Sequence, residues 1–181
     1  MRNNKILWIT RTGVLVALLV ALQWLTSYTQ AFAGQYITGS CVNAVLAVAA
    51  LAAGMWSGAV VAILSPFCAF LLGIGPKLIQ VVPAIALGNL VYVVALYFLL
   101  GRKQMPVWQQ ACGLAVSAAA KFAMLYTAVV LVLIPAMGPA LPQKQAAAFT
   151  VMFSWPQLIT ALIGGTAALL IVPMIRKTVK K

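Results

Sequence analysis

The chain contains no aspartate, no glutamate and no histidine. Ion-coupled carriers place intramembrane carboxylates or histidines along their proton or sodium paths, and none can exist here. Hydrolytic chemistry needs a base. The one side-chain dyad available is Ser117 with Lys121, four residues apart on a helix face. A lysine can activate a serine, but a serine that packs helices and a lysine that serves elsewhere is the stronger reading, so no catalysis is expected. Cys41, Cys68 and Cys112 are isolated, with no C-x-x-C pair and no histidine to complete a metal site. They read as small buried hydrophobes. No G-x-x-x-x-G-K-[ST] phosphate loop is present, and nothing calls for a cofactor. The protein therefore either conducts passively or takes its energy from a partner.

What the chain has in abundance is apolar surface. Of 181 residues, 65% are hydrophobic, and the mean hydropathy is +1.09. Soluble domains are roughly 45–50% apolar. Lipid offers no partner to backbone N–H and C=O groups, so spans must be helices or a closed barrel. Barrel strands alternate apolar and polar residues. The runs Val14–Val20 and Ala44–Ala53 do not alternate. The fold class is an all-α integral membrane protein.

A spanning helix needs about 20 apolar residues. Glycine and proline clusters divide the chain into six such stretches: Ile6–Tyr28, Thr38–Ala53, Met55–Gly73, Val81–Leu100, Trp108–Ile134 and Phe149–Ile175. Together they make one transmembrane domain. Pro66 should kink the third span, and Pro135–Pro142 reads as an irregular loop. The start of the chain resembles a signal peptide ending at Ala31-Phe32-Ala33, but its apolar run exceeds the usual 7–15 residues, so an uncleaved first helix is expected.

The net charge is +12. Most of the cations flank apolar stretches, which points to topology signals and lipid headgroups rather than nucleic acid. Arg2, Lys5, Arg11, Arg102, Lys103, Arg176, Lys177, Lys180 and Lys181 fall on one side, and Lys77 and Lys144 on the other. This bias puts both termini in the cytoplasm and requires an even number of spans.

Position in a span converts to depth at 1.5 Å per residue. Counted from the outer ends, Asn43 and Gln23 lie about 8–10 Å deep, Asn89 and Gln157 about 12 Å, and Lys121 about 20 Å. Four helices thus place an amide in the outer half of the membrane, above a lysine near the midplane. A charge there costs about 2.5–3.5 kcal/mol on insertion scales, and it is expected to face the bundle interior or a water-filled cavity. Lys121 has no acidic partner in the chain; an anionic ligand would supply one, while snorkelling or backbone carbonyls are the plainer alternative. The amides either line a chamber open to the outside or bond between helices. Trp155, Tyr126 and Tyr36 lie near the same rim, to stack a flat ligand or form an aromatic belt.

The inner half holds ridges of small residues instead. Gly13, Ala17 and Ala21 recur every four residues in the first span, and Gly54, Gly58 and Ala62 in the third. Such ridges admit close helix approach, within the bundle or from another subunit.

Together with Pro83-Ala84-Ile85-Ala86-Leu87-Gly88-Asn89, Lys121-Phe122 and the stretch from Gln157 to Gly165, the Gly13/Ala17/Ala21 ridge resembles the S components of energy-coupling-factor vitamin transporters. The resemblance covers nearly the whole chain. It implies a plasma-membrane subunit that captures a small water-soluble micronutrient from outside. Such a subunit docks through its first helix on a transmembrane coupling subunit driven by two ATPases, then topples to release its cargo inside. With no acidic residue in the chain, recognition of a cation such as thiamine by a carboxylate is excluded. Lys121, Lys77 and Lys144 suit an anionic or polar one, with pantothenate-like, folate-like and nicotinate-like compounds as candidates. The rivals are a passive channel, which would need a polar path through the inner half, and a membrane scaffold, whose amides would pair between helices.

Overall fold

The computed structural model describes residues 2–28, 34–74, 76, 78–102 and 105–179, with side chains from Lys5 to Lys177 within those ranges. Lys77, Lys103, Lys180, Lys181, the Arg2 side chain and the Ala31-Phe32-Ala33 segment lie outside the described part.

Every element among the described residues is helical. They are α1 (Arg2–Ser27), α2 (Gly34–Val48), α3 (Met55–Leu71), α4 (Val81–Leu100), α5 (Val107–Leu125), α6 (Ile134–Met137), α7 (Gln143–Met152) and α8 (Trp155–Val179). The last turns of α2 and α5 widen into π-helical segments, Ala49–Ala53 and Tyr126–Leu133. Five stretches are long and apolar enough to cross a membrane, counting α7 and α8 together, and α3 is a shorter apolar helix of 17 residues.

Several boundaries depart from the sequence expectation. The helix α2 begins at Gly34, not Thr38. The stretch Pro135–Pro142, expected to be irregular, contains α6 and the 3-10 turn Gly138–Ala140. The sixth span, expected unbroken from Phe149, is interrupted at Phe153 and Ser154, and α8 starts at Trp155. Pro156 favours the break: proline lacks an N–H and is best accommodated in the first turn of a helix, where that donor has no partner anyway, and it stands at the second residue of α8. The helix α3 runs on through Pro66. Gly54 alone joins the π segment of α2 to α3, at a φ of 100° that favours glycine.

The helices form a ring in which α2 packs on α8, α8 on α5, α5 on α4, α4 on α3, and α1 leans on α2 and α3. The first core joins Leu19, Leu46, Val61, Val93, Leu96 and Ala161 across five helices. A second, smaller core lies where the start of α4 meets the end of α5 and α7, around Val81, Leu125, Val129 and Phe153. Glycines set the closest approaches. A Cβ on Gly164 would meet Ser40 O, Ala44 N at 2.6 Å and Asn43 Cβ at 2.7 Å. One on Gly39 would meet Thr160 Cγ2 at 2.9 Å. The pairs 39/160 and 43/164 advance together, so α2 and α8 run parallel with interlocked small residues. By the same logic Gly88 against Leu125 and Gly113 against Leu100 make α4 and α5 antiparallel. The start of α1 and the end of α8 consequently lie at the same end of the bundle.

Candidate functional site

Lys121 lies in α5, five residues before the first residue of its π segment. Its side chain is 3% exposed, so it does not snorkel. Its Nζ donates to Asn43 Oδ1 at 2.6 Å and to Asn89 Oδ1 at 2.7 Å, and sits 5.4 Å from the centre of the Tyr92 ring. Both asparagines are buried. The plainer alternative named backbone carbonyls; side-chain amides of two other helices take that place. The early start of α2 explains how Asn43 reaches the lysine. It stands nine residues from Gly34, about 14 Å in, rather than about 8 Å.

The network extends past the lysine. Asn43 Nδ2 donates to Thr160 Oγ1 at 3.2 Å, and the Thr160 hydroxyl donates to Gln157 O at 3.2 Å. Tyr92 donates to Ala161 O at 2.7 Å. Four helices, α2, α4, α5 and α8, are thereby tied at one level.

Other residues singled out in the sequence stand apart from the lysine. Gln157 is two residues into α8, about 3 Å from its start. Its side chain donates to Met152 O at 3.1 Å, as Gln35 does at 2.8 Å, so the two hold the end of α7. The depth expected of Gln157 rested on the unbroken sixth helix and is corrected by the break. Gln23 is buried, and its Oε1 has no hydrogen-bond partner among the described residues. One turn on, Thr26 bonds Thr38 at 2.8 Å. Trp155 is exposed and 6.4 Å from the Tyr36 ring. Tyr126 stacks on Phe122 at 5.7 Å.

Tyr92 and Thr160 were not anticipated. Each carries a helical signal: Tyr92 follows Asn89 by three residues, and Thr160 follows Gln157 by three, spacings that share a face.

The two ridges of small residues part company. Gly58 is buried, and a Cβ there would meet Val93 Cγ1 at 2.7 Å and Ala50 Cα at 3.1 Å. Gly13, Ala17 and Ala21 are exposed, and a Cβ on Gly13 would meet nothing within 4 Å. The bundle does not use this face of α1.

A cavity of about 850 Å³ lies at the other end of the molecule from these amides. It is reached eleven residues before Lys121, at Gln110, about 16 Å away along α5.

Neither the curated proteins nor the solved structures compared with the chain give a match. The family model described as "ECF transporter, substrate-specific component" matches residues 8–176. That span takes in the α1 ridge, the lysine with its amides, and all but the ends of α1 and α8, and the chain belongs to the substrate-specific components of the ECF transporters.

Proposed function

We propose that this subunit captures an anionic or polar water-soluble micronutrient from outside the cell, at a chamber whose floor is Lys121 with Asn43 and Asn89. The observation that carries the reading is the lysine's company. It is buried among neutral oxygens, in a chain with no acidic residue anywhere. A carboxylate entering from the amide side would replace neutral acceptors by a charged one, and charge-assisted bonds are roughly twice as strong. Asn43 and Asn89, released from the lysine, would turn to the solute's polar groups. Gln23, whose carbonyl oxygen is buried without a partner among the described residues, would meet a donor there. Gln157, Trp155 and Tyr126 belong to the rim above.

The helix ends support an orientation with both termini in the cytoplasm of a plasma-membrane protein. Lys5, Arg11, Arg102, Arg176 and Lys177 share one end, and Lys144 stands at the other. The exposed Gly13/Ala17/Ala21 ridge would dock on a transmembrane coupling subunit that carries two ATPases. No energy source within the chain is then needed.

The bonds that Lys121 already makes favour a second reading, in which it bolts α2, α4 and α5 together and the solute sits elsewhere. The variant Lys121→Met separates the two. Purified protein is melted with and without each of a panel of anionic vitamins, since a ligand of the folded state raises its apparent stability. The first reading expects one vitamin to raise the melting temperature of the parent and to lose that effect in the variant. A variant that still folds and responds to the vitamin like the parent would overturn it and leave the bolt.

A further inference from the structure

The 850 Å³ cavity has walls of two kinds. Val14, Leu15, Val48, Leu51, Leu169 and Val172 make it apolar. Arg11, Arg102, Arg176 and Lys177 stand around it, from α1, the end of α4 and the end of α8. The chain has no carboxylate side chain to neutralise them. Arg176 alone has a described internal role, donating from Nη2 to Leu51 O at 2.6 Å, within the π segment that follows α2. Arg11, Arg102 and Lys177 are exposed. A second groove of about 190 Å³, lined by Leu7, Trp8, Arg11, Ala53 and Ser57, shares Arg11 and Ala53 with the first.

We propose that this end of the bundle is a binding site for an anionic phospholipid, its phosphate held among Arg11, Arg102 and Lys177 and its acyl chains entering the apolar cavity. Charge complementarity selects the headgroup: several cations converge at the helix ends, and basic pockets of this kind between membrane helices take anionic lipid headgroups. The apolar walls select a lipid over a free anion. They run inward from the cations along α1, α2 and α8, in the direction an acyl chain takes from a headgroup. An acidic protein segment would satisfy the cations but leave the apolar walls unfilled. The site is independent of solute capture, about 16 Å away along α5.

The test is native mass spectrometry of the purified full chain, delipidated in detergent and offered dioleoylphosphatidylglycerol or dioleoylphosphatidylcholine. Phosphatidylglycerol should be retained at least tenfold better. Arg102→Gln with Lys177→Gln should bring retention down to the phosphatidylcholine level. Arg176 is spared because it holds the Leu51 carbonyl. Val14→Trp, which fills the cavity from an exposed position, should lower retention of both lipids several-fold. An unchanged melting profile shows that either variant is folded. Equal retention of the two lipids, or a preference that survives the double substitution in folded protein, overturns the proposal. So does full displacement of the lipid by millimolar inorganic phosphate, which would make the site a free-anion site. If the double variant keeps its lipid but loses association with the coupling subunit, the cations serve an acidic protein segment and the lipid assignment is wrong.

Discussion

The seam between α2 and α8 and the outer face of α1 are written in the same small residues and meet opposite fates. In the seam, Gly39 receives Thr160 and Gly164 receives Asn43, each at a distance that leaves no room for a Cβ. On α1, Gly13, Ala17 and Ala21 face outward, and nothing lies within 4 Å of a Cβ added to Gly13. Spacing alone does not separate them, because a small-x-x-x-small pattern says only that a backbone can come close. What separates them is polarity. The seam brings Asn43 and Thr160 within bonding distance and so builds part of the lysine network. The α1 ridge is flanked by Val14 and Leu18, both exposed, and has no polar group to satisfy. One is a closed joint between two helices; the other is an open surface, which the proposed reading gives to a second body.

The comparison predicts its own largest break. Gly164→Leu should destabilise the fold by about 3 kcal/mol or more, because overpacking against backbone atoms cannot be relieved by a rotamer change. The α2 backbone at Ser40 and Ala44 would have to move, and Asn43 with it. Thermal melting in detergent checks this, and solute binding should vanish in parallel. A stable Gly164→Leu protein would mean that the seam is not tight. Thr160→Val sharpens the same side. It keeps the shape and removes the hydroxyl that receives Asn43, at a cost of about 0.6–2 kcal/mol, the range for bonds between membrane helices. If melting is unchanged and solute binding is intact, Thr160 contributes nothing to holding Asn43.

Much of this architecture is legible in the sequence. The bounds of α4 come from a continuous apolar run closed by Gly101 and Arg102, and the structure places them at the same residues. Lys121 stands out as a cation without an internal counter-charge, and two of the four amides singled out do contact it. The difference at the sixth span has a visible cause. Phe149 to Met152 is as apolar as the start of α8, so hydropathy runs straight through, while Ser154 and Pro156 mark the true start. Backbone chemistry outranks hydropathy there. The π-helical widenings at Ala49–Ala53 and Tyr126–Leu133 have no sequence signal, since both runs are as apolar as the α-helices that lead into them. Tyr92 escapes notice because an aromatic ring in an apolar run looks like core until its hydroxyl is seen to bond Ala161. The fate of each small-residue ridge is equally hidden, because it depends on which helix lies opposite.

On the α1 side of the comparison the expected effects on stability are small and the effects on assembly large. Ala17→Trp should change the melting temperature of the isolated subunit little, within the roughly 0.5 kcal/mol typical of surface changes, and leave solute binding intact. It should nevertheless prevent co-purification with the coupling subunit. Loss of solute binding with assembly preserved would reverse the division between the two faces.

The smallest expected change is the most discriminating. Gly13→Ala adds one methyl to a helix interior where nothing opposes it. Alanine is the better helix former by about 0.8–1.0 kcal/mol, so the isolated subunit should melt slightly higher. A close partner at this face would feel the added methyl, and the same substitution should weaken association several-fold. Opposite signs in the two measurements are what an exposed docking glycine demands. A glycine kept for flexibility within the subunit would instead lose solute affinity as it stiffens, and one buried against another helix would lose stability, as Gly164 should. If Gly13→Ala stabilises the subunit and leaves assembly untouched, the partner's closest approach lies further along α1, toward Ala21, and the ridge reads from its outer end rather than its inner one.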